Sequence, residues 1–328
     1  MKVYTQLKLE ERENIFKLQR DGAGIKLIAK VINRDKSTIY RELKRNKYTD
    51  SIEYLPDIAN NMTKQRKYIL SLKIDRFPEL KNHIVEKLNE KWSPDAIAGR
   101  LKIDGLMNVS TESIYQYIYS EKGKELGLHH HLASRNKNRN HRHGRKARKA
   151  IIPERVPIHD RSKDANERKE VGHFEADLTF CKGSRSANLM VITERKTRYS
   201  FFVKNDSKRA TEIGKKLFNT LASIPMEIRK SIAFDNGTEF VNHRLVRDFL
   251  DMKTYFCDPH SPWQKGQVEK TNAMLHRFIP KKSSLSTLDE KSLKDIQNQF
   301  NNIPRKVLGY RTSTELFSES LFGVALRT

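Results

Sequence analysis

The sequence is poor in the features that mark secreted and membrane proteins. It has only two cysteines, Cys181 and Cys257, and no apolar run approaches the ~20 residues that a membrane-spanning helix needs. The first residues, MKVYTQLKLEERE, lack the apolar stretch of a signal peptide. These absences predict a protein of a reducing, cytoplasmic compartment with no membrane partner. The two cysteines are then expected to be buried thiols, with a disulfide or a metal pair as the alternative.

Acidic residues are scarce relative to basic ones. The chain has 64 Lys plus Arg against 40 Asp plus Glu, so its formal net charge is +24. Its mean hydropathy of −0.74 is low for one large compact enzyme, whereas 15 Phe and 11 Tyr are too many for a disordered chain. We therefore expect two or three small domains and a polyanionic partner. Charge alone leaves ribosomes and membrane surfaces open as alternatives.

Three short helical patterns occupy the amino-terminal 50 residues. The second covers residues 25–32 and the third is STIYRELKRN. The turn between them contains Asp35, which, like Ser37, is suited to cap the third helix. Such a pair predicts a helix-turn-helix, with an ordinary small helical bundle as the alternative. The candidates for DNA contact are the outward-facing residues of the third helix: Thr38, Tyr40, Arg41, Lys44 and Arg45.

A similar pattern returns between residues 92 and 120. Ser93 and Pro94 begin one helix, and Ser110 caps a second, whose two isoleucines four residues apart form a buried face. We predict a second helix-turn-helix here, against the alternative of a purely structural helical pair. Its candidates for DNA contact are Thr111, Tyr115 and Gln116.

Residues 132–150 contain no acidic residue and almost no apolar one. No core can form from such a stretch, so it is predicted to be a linker whose charge a phosphate backbone could neutralise. A merely solubilising charge run is the alternative. The histidines in and before this stretch lack the spacing of a structural zinc site. The candidates for DNA contact in the linker are Arg145, Lys146, Arg148 and Lys149.

From about residue 170 the hydrophobic period changes from helical to alternating. Three meandering strands, HFEADLTF, LMVIT and YSFFV, precede a helix, a strand, a helix, a strand and the helix GQVEKTNAMLHRFI. This order predicts a mixed sheet covered by helices, as in an RNase H-like fold. In the first strand one face is expected to be buried (Phe174, Ala176, Leu178 and Phe180) and the other open (His173, Glu175, Asp177 and Thr179).

Three acids take the positions that a metal site would require in this layout. Asp177 lies on the first strand, Asp235 at the exit of the fourth, and Glu269 in the helix after the fifth. Carboxylates are the hard ligands that Mg²⁺ prefers, and two such ions can support in-line displacement at phosphorus. Each acid taken singly could be an ordinary surface residue. Glu175 and Glu239 are reserve ligands, because each lies near one of the aspartates in sequence.

A stiff loop leads into the helix of the third acid. Its end and the first turns of the helix are predicted to contact a DNA end through Trp263, Gln264, Lys265 and Asn272. A tryptophan that anchors the loop in the core is the alternative for Trp263.

At these residues the sequence resembles the IS30-family bacterial transposases. The resemblance covers nearly the whole chain, from LEERENIFKLQRDG through GHFEADL, DNGTEF and CDPHSPWQKGQVEKTN to FNNIPRKVLGYRTSTELF. The 33 residues between Asp235 and Glu269 match that family's spacing of its second and third catalytic acids. The resemblance implies a DDE catalytic core that uses Asp177, Asp235 and Glu269 with Mg²⁺, and helix-turn-helix units that recognise terminal inverted repeats.

Taken together, these patterns and the resemblance predict a multidomain protein with an N-terminal all-α helix-turn-helix DNA-binding region and an α/β RNase H-like catalytic domain. We expect a transposase that cuts and joins double-stranded DNA with two Mg²⁺ ions, or Mn²⁺ in their place, without a nucleotide cofactor. A homodimer or higher oligomer on DNA, in the bacterial cytoplasm at the nucleoid, is expected. The alternatives are a DNA-binding regulator with a decayed core and an RNase H-like nuclease or phage-type integrase. The predicted domains are residues 1–50 (helix-turn-helix), 51–128 (second helical DNA-binding), 129–165 (basic linker), 166–283 (catalytic) and 284–328 (C-terminal helical extension).

Overall fold

The computed structural model describes residues 6–46, 54–69, 73–132, 152–181, 186–259 and 261–325. The chain divides into two compact units, Met1–Phe77 and Pro78–Thr328, called unit 1 and unit 2 below. Among the described residues, no helix has both the length and the apolar character needed to cross a membrane.

Unit 1 is helical and contains the predicted helix-turn-helix. Its core is formed by isoleucines of the first three helices, with Ile15, Ile28 and Ile39 almost fully buried. The predicted cap is confirmed, because the Asp35 side chain accepts a hydrogen bond from the Ser37 backbone N–H at 2.7 Å. The helices are α1 (Leu9–Arg20), α2 (Ile25–Ile32), α3 (Lys36–Arg45), α4 (Pro56–Ile69) and α5 (Lys73–Arg76).

Unit 2 begins with four helices, α6 (Pro78–Asn89), α7 (Pro94–Ile103), α8 (Thr111–Tyr119) and α9 (Glu121–Glu125). Both predicted caps are confirmed, since Ser93 accepts from Ala96 N–H at 3.2 Å and Ser110 from Ser113 N–H at 3.0 Å. Helix α7 is buried along most of its length. At Gly99 it packs directly against the Tyr310 ring, which would lie 2.2 Å from a Cβ atom at this position.

A five-stranded mixed sheet forms the centre of unit 2. The strand order is β3-β2-β1-β4-β5; β1 pairs antiparallel with β2 and β2 with β3, whereas β1, β4 and β5 are parallel. This is the RNase H-like arrangement predicted from the order of elements. The elements are α10 (Lys163–Glu167), β1 (His173–Thr179), β2 (Asn188–Glu194), β3 (Ser200–Asn205), α11 (Ala210–Ala222), β4 (Ser231–Phe234), α12 (Arg244–Leu250), β5 (Lys253–Phe256), α13 (Gly266–Leu275), α14 (Glu290–Asn301) and α15 (Ser313–Ala325).

Both faces of β1 are covered, which corrects the prediction of an open polar face. Phe174, Ala176 and Leu178 pack into one core with residues of α11 and α12, as predicted. The polar face lies under α13, so that Glu175 is only 1% exposed and Asp177 is partly buried. Phe180 was expected on the buried face, but the strand ends at Thr179 and its ring is 39% exposed. Both cysteines are free and buried, as expected.

The C-terminal helices close the sheet on its β3 side. Side-chain amides of α14 satisfy the free backbone of this edge strand, because Asn301 bonds both the N–H and the C=O of Ser200, at 2.9 and 2.8 Å. Gln297 accepts from Phe202 N–H at 2.8 Å. At the opposite edge, β5 is met by the segment before α10, where Phe256 N–H donates to Val156 C=O at 2.9 Å. The segment after residue 284 is therefore an integral part of the core.

Candidate active site

Two of the three candidate acids lie side by side at one end of the sheet. β1 and β4 run parallel in a register that pairs Glu175 with Ala233. Two residues further along this register, Asp177 comes opposite Asp235, which follows β4 directly. One lysine ammonium contacts both, because Lys265 Nζ lies 2.8 Å from Asp177 Oδ1 and 3.3 Å from Asp235 Oδ2. The two aspartates therefore share a single cation.

Helix α13 supplies the remaining contacts to the first aspartate. Asn272 donates from Nδ2 to Asp177 Oδ2 at 2.7 Å, and Lys265 at the start of the helix contacts Asp177 Oδ1. Lys265 and Asn272 are two turns apart on one flank of the helix. Glu269, the third candidate acid, lies between them on that flank, four residues after Lys265 and three before Asn272, and is exposed. The helix that carries Glu269 is thus held to Asp177 before and after Glu269, by Lys265 and Asn272.

Burial dominates the electrostatics of this group. It raises the pKa of the Asp177 carboxyl, against the opposing effect of Lys265, and Asp235 raises it further. Burial also opposes the charged form of Lys265, but Asp235 and Asp177 outweigh it, so the pKa of the ammonium is raised. The pKa of Glu239 is raised, first by burial and then by the charge of Asp235. The cluster therefore carries negative charge that is costly without a cation.

The donor set fits a hard divalent cation by its chemistry. Asp177 and Asp235 present carboxylate oxygens to one positive charge, and Asn272 Oδ1 is buried with no hydrogen-bond partner among the described residues. Oxygen ligands of this kind are those that Mg²⁺ prefers. Within the described part of the chain, however, no three side chains of His, Cys, Asp or Glu lie close enough to hold an ion. The lysine ammonium stands where such a charge would be needed.

The two reserve ligands differ in their surroundings. Glu175 is engaged elsewhere, since Oε1 forms a buried ion pair with Arg195 and Oε2 accepts from Val268 N–H at 3.2 Å. These contacts tie β1 to the first turn of α13. Glu239 lies in the turn after Asp235, is partly buried, and interacts electrostatically with both aspartates. Of the two reserves, only Glu239 has a carboxylate that is not taken up by an arginine.

The predicted DNA-contact residues of the helix pairs are largely accessible. On α3, Tyr40, Arg41, Lys44 and Arg45 are exposed and Thr38 is partly so. Arg41 folds back on its own helix, donating from Nη2 to Ser37 Oγ at 2.8 Å. On α8, Gln116 is exposed, and Thr111 and Tyr115 are partly exposed. Arg145, Lys146, Arg148 and Lys149 lie outside the described residues.

The loop before α13 is held by its own side chains. Gln264 accepts from Asp258 N–H and donates to Asp258 Oδ2, both at 2.7 Å. Trp263 is 74% exposed, so the alternative that it anchors the loop in the core is wrong. Its contact with DNA stays a prediction.

Sequence reasoning did not foresee the role of Lys265 between the aspartates, although it named this residue as a DNA contact. The local signal was present, because Lys265, Glu269 and Asn272 follow the spacing of one helix flank. The sequence also gave no indication of Arg195 as the partner of Glu175. These two residues are 20 positions apart and meet only through the pairing of β1 with β2.

Known proteins resemble this chain in its first 46 residues and over nearly its whole length. Residues 3–46 match the model of a helix-turn-helix domain. The chain is 34% identical to the transposase InsI of insertion sequence element IS30A from Escherichia coli K12, over 98% of this chain and 84% of that protein. It is 33% identical to the transposase of insertion sequence element IS4351 from Bacteroides fragilis, over 94% of each. The catalytic core domain of BIV integrase superposes with a TM-score of 0.36 at 17% identity, covering 46% of this chain and 96% of that one.

The aligned regions cover nearly the whole chain and therefore include both units. The helix-turn-helix in unit 1 shows that the protein binds DNA. Its similarity to the two transposases shows that it is a transposase, that is, a polynucleotidyl transferase. The chain belongs to the IS30 family of insertion-sequence transposases.

Proposed function

We propose that the protein binds the terminal inverted repeats of its own element, cuts a phosphodiester at their ends and joins the freed end to target DNA. Asp177, Asp235 and Glu269 are the proposed catalytic acids. The observation that carries the assignment is the pairing of β1 with β4, which places Asp177 and Asp235 within reach of the same ammonium. Two aspartates at adjacent strand ends next to a helix with a third acid suit phosphoryl transfer.

The reaction consists of two displacements at phosphorus. In the first, a water oxygen forms a bond to phosphorus, the P–O3′ bond breaks, and the strand end leaves as a 3′-hydroxyl. In the second, that 3′-hydroxyl forms a bond to a target phosphorus and the target strand loses its own P–O3′ bond. Neither step needs a covalent enzyme intermediate or a nucleotide cofactor.

The three acids are the proposed ligands of Mg²⁺, with Mn²⁺ as a substitute. Two such ions, when bound, would activate the attacking oxygen and stabilise the leaving one. The chain's own contribution is positional: the β1–β4 register fixes Asp177 and Asp235, and Asn272 orients the Asp177 carboxylate. Lys265 offsets part of the negative charge of the two aspartates.

Replacing Lys265 with methionine is expected to tighten Mn²⁺ binding about tenfold, because the ammonium no longer competes for the two aspartates; tenfold corresponds to about 1.4 kcal/mol. Without metal, the variant is expected to melt at a lower temperature than the wild type, and saturating Mg²⁺ should restore more stability to the variant than to the wild type. Mn²⁺ titration followed by electron paramagnetic resonance, and thermal melts with and without Mg²⁺, provide the measurements. Unchanged Mn²⁺ affinity would show that Lys265 does not compete with the ion. The control is Lys291→Met, at an exposed position on α14.

Helix α3 is the proposed reading element for the inverted repeats. Lys44→Ala and Arg41→Ala are expected to weaken binding to inverted-repeat DNA and to reduce the salt slope by about 0.9 each, the value for one lost phosphate contact. Fluorescence anisotropy over a salt titration measures both. Lys17→Ala, on the exposed side of α1, serves as control. If the two α3 variants behaved like this control, α3 would not be the reading helix.

Strand transfer decides between this function and its alternatives. Purified protein, a duplex carrying two inverted-repeat ends, target plasmid and Mg²⁺ are expected to yield joined products. Cleavage without joining would indicate a nuclease, and binding without cleavage a regulator with a decayed core.

At least a dimer is proposed on the paired ends, because two ends must be joined in one complex. Light scattering that found a monomer on both ends would contradict it.

A further inference from the structure

A second feature of unit 2 lies on the other flank of α13. A cleft of about 650 Å³ opens between α7, α13 and residues 303–307. From α13 it is lined by Gln267, Lys270, Ala273 and Met274. Gln267, Lys270 and Met274 lie on the opposite side of the buried face of the helix from Lys265 and Asn272. Most of the side chains that line the cleft from this region therefore lie on the flank of α13 away from the two aspartates. We refer to it as the basic cleft, after Arg198, Lys270, Arg277, Arg305 and Lys306 in its walls.

The charge of the basic cleft is almost unopposed. Asp95 is the acidic residue in its lining; it accepts a hydrogen bond from the Tyr310 hydroxyl at 3.1 Å and lies 3.9 Å from Lys306 Nζ. Among the described residues, no carboxylate lies within 4.0 Å of a side-chain nitrogen of the other four cations. The walls of the cleft therefore carry five positively charged side chains and one negatively charged side chain.

Two of these cations are withdrawn from solvent without a carboxylate at ion-pair distance, Arg198 being buried and Arg305 partly buried. The charges of Glu175 and Glu194 act on Arg198 from farther away and offset only part of its desolvation. Arg198 is 9% exposed, its Nη1 donates to Gln267 Oε1, and its Nε has no partner among the described residues. Arg305 donates to Ser313 Oγ at 3.0 Å and lies over the Phe300 ring, with Nη2 lacking a partner in the same part of the chain. Burial lowers the pKa of both guanidinium groups to about 10, yet both remain charged at neutral pH. A buried charge is stable only when an opposite charge offsets its desolvation.

We infer that the basic cleft binds the phosphate backbone of the DNA on which the acids act. The inference rests on the proposed function of the acids and adds a second point of contact to it. An α-helix with its side chains is about 10 Å wide, so a DNA strand that crosses α13 with one phosphate at the aspartates can place a following one in the cleft. The accessible cations for this contact are Lys270 and Lys306; the latter is 73% exposed. Arg198 and Arg305, which are less accessible, add to the positive electrostatic potential inside the cleft.

The test uses the full chain and a duplex without inverted repeats, in EDTA, so that no cleavage occurs. Lys270→Gln combined with Lys306→Gln is expected to reduce the slope of log affinity against log salt by about 1.8, which is about 0.9 for each of two lost phosphate contacts. The charge-matched control is Lys253→Gln combined with Lys291→Gln, at exposed positions outside the cleft, and it is expected to leave the slope unchanged. Equal slopes in the two double variants would overturn the inference.

A second measurement separates DNA from a small anion. Acetylation of lysines, followed by mass spectrometry, is expected to show Lys270 protected by bound duplex and Lys291 unprotected; an unprotected Lys270 would contradict the inference. Inorganic phosphate is then titrated at constant ionic strength. Phosphate binding that is lost in the cleft variant, with DNA slopes unchanged, would make the cleft a small-anion site. Because these experiments involve no catalysis, a protein that fails to cut DNA can still support the cleft, and the reverse also holds.

Discussion

Asp177→Asn is expected to lower metal-dependent strand cleavage at least about 1,000-fold, because the loss of one ligand charge removes several kcal/mol of transition-state stabilisation. The substitution keeps the size of the side chain and its contact with Asn272, so the fold should persist. Lys265 would keep Asp235 as its remaining carboxylate. Cleavage of an end-labelled inverted-repeat duplex in Mg²⁺ measures the loss, and anisotropy on the same duplex should show wild-type affinity.

A matched aspartate tests whether the effect belongs to the site. Asp251 is exposed and ends α12 in a left-handed conformation that asparagine also adopts readily. Asp251→Asn removes the same charge and should cleave DNA at the wild-type rate. If Asp177→Asn retained more than about a tenth of wild-type cleavage, Asp177 would not be a catalytic ligand. If both variants lost activity together, the cause would be net charge.

Arg195→Met is expected to destabilise unit 2 by about 3 to 5 kcal/mol, the usual cost of leaving one member of a buried ion pair alone. Arg195 is 5% exposed and Glu175 1%. The arginine also donates to the carbonyl groups of Ala165 and Asn166, at 3.1 and 3.3 Å. Both tryptophans of the chain, Trp92 and Trp263, belong to unit 2, so urea unfolding followed by tryptophan fluorescence reports on this unit.

The companion variant removes both charges. Arg195→Met combined with Glu175→Met leaves no isolated buried charge and is expected to recover at least half of the lost stability, since apolar pairs often replace buried ion pairs at little cost. Glu175 also accepts from Val268 N–H, so part of the loss should remain. A single variant within about 1 kcal/mol of the wild type, the size of an exposed ion pair, would show that the pair contributes little to stability.

The sequence predicted the elements of the core well because their signals are local. Alternation identified β1 and the faces of its side chains, and the register that joins Asp177 to Asp235 follows from a strand order that the sequence of elements already indicated. The capping of α3 by Asp35 was equally readable, since it depends on two neighbouring residues. Local chemistry and chain order were therefore enough for the fold and for the approach of the two aspartates.

The sequence does not indicate which elements cover each face of a strand. The polar face of β1 was predicted to be open, because alternation distinguishes two faces without saying what covers them, and α13 covers this one. Arg195 directly follows β2 and reaches Glu175 through the pairing of β1 with β2, and no local pattern marks such a pair. The basic cleft brings together residues from distant parts of the chain, between positions 93 and 307. Charge composition predicted a polyanion as partner without predicting this place for it.

The covered edges of the sheet limit how copies of this protein can assemble. An uncovered edge strand is a template onto which another chain can add its own strand. Here the outer side of β3 is occupied by amide groups of Asn301 and Gln297, and β5 is met by the backbone at Val156. Strand exchange would first require α14 to detach from β3, or the backbone at Val156 to leave β5. In the proposed dimer, subunits at two transposon ends are therefore expected to meet through helices or through the nucleic acid itself, which would leave the sheet unchanged as the complex forms and disperses.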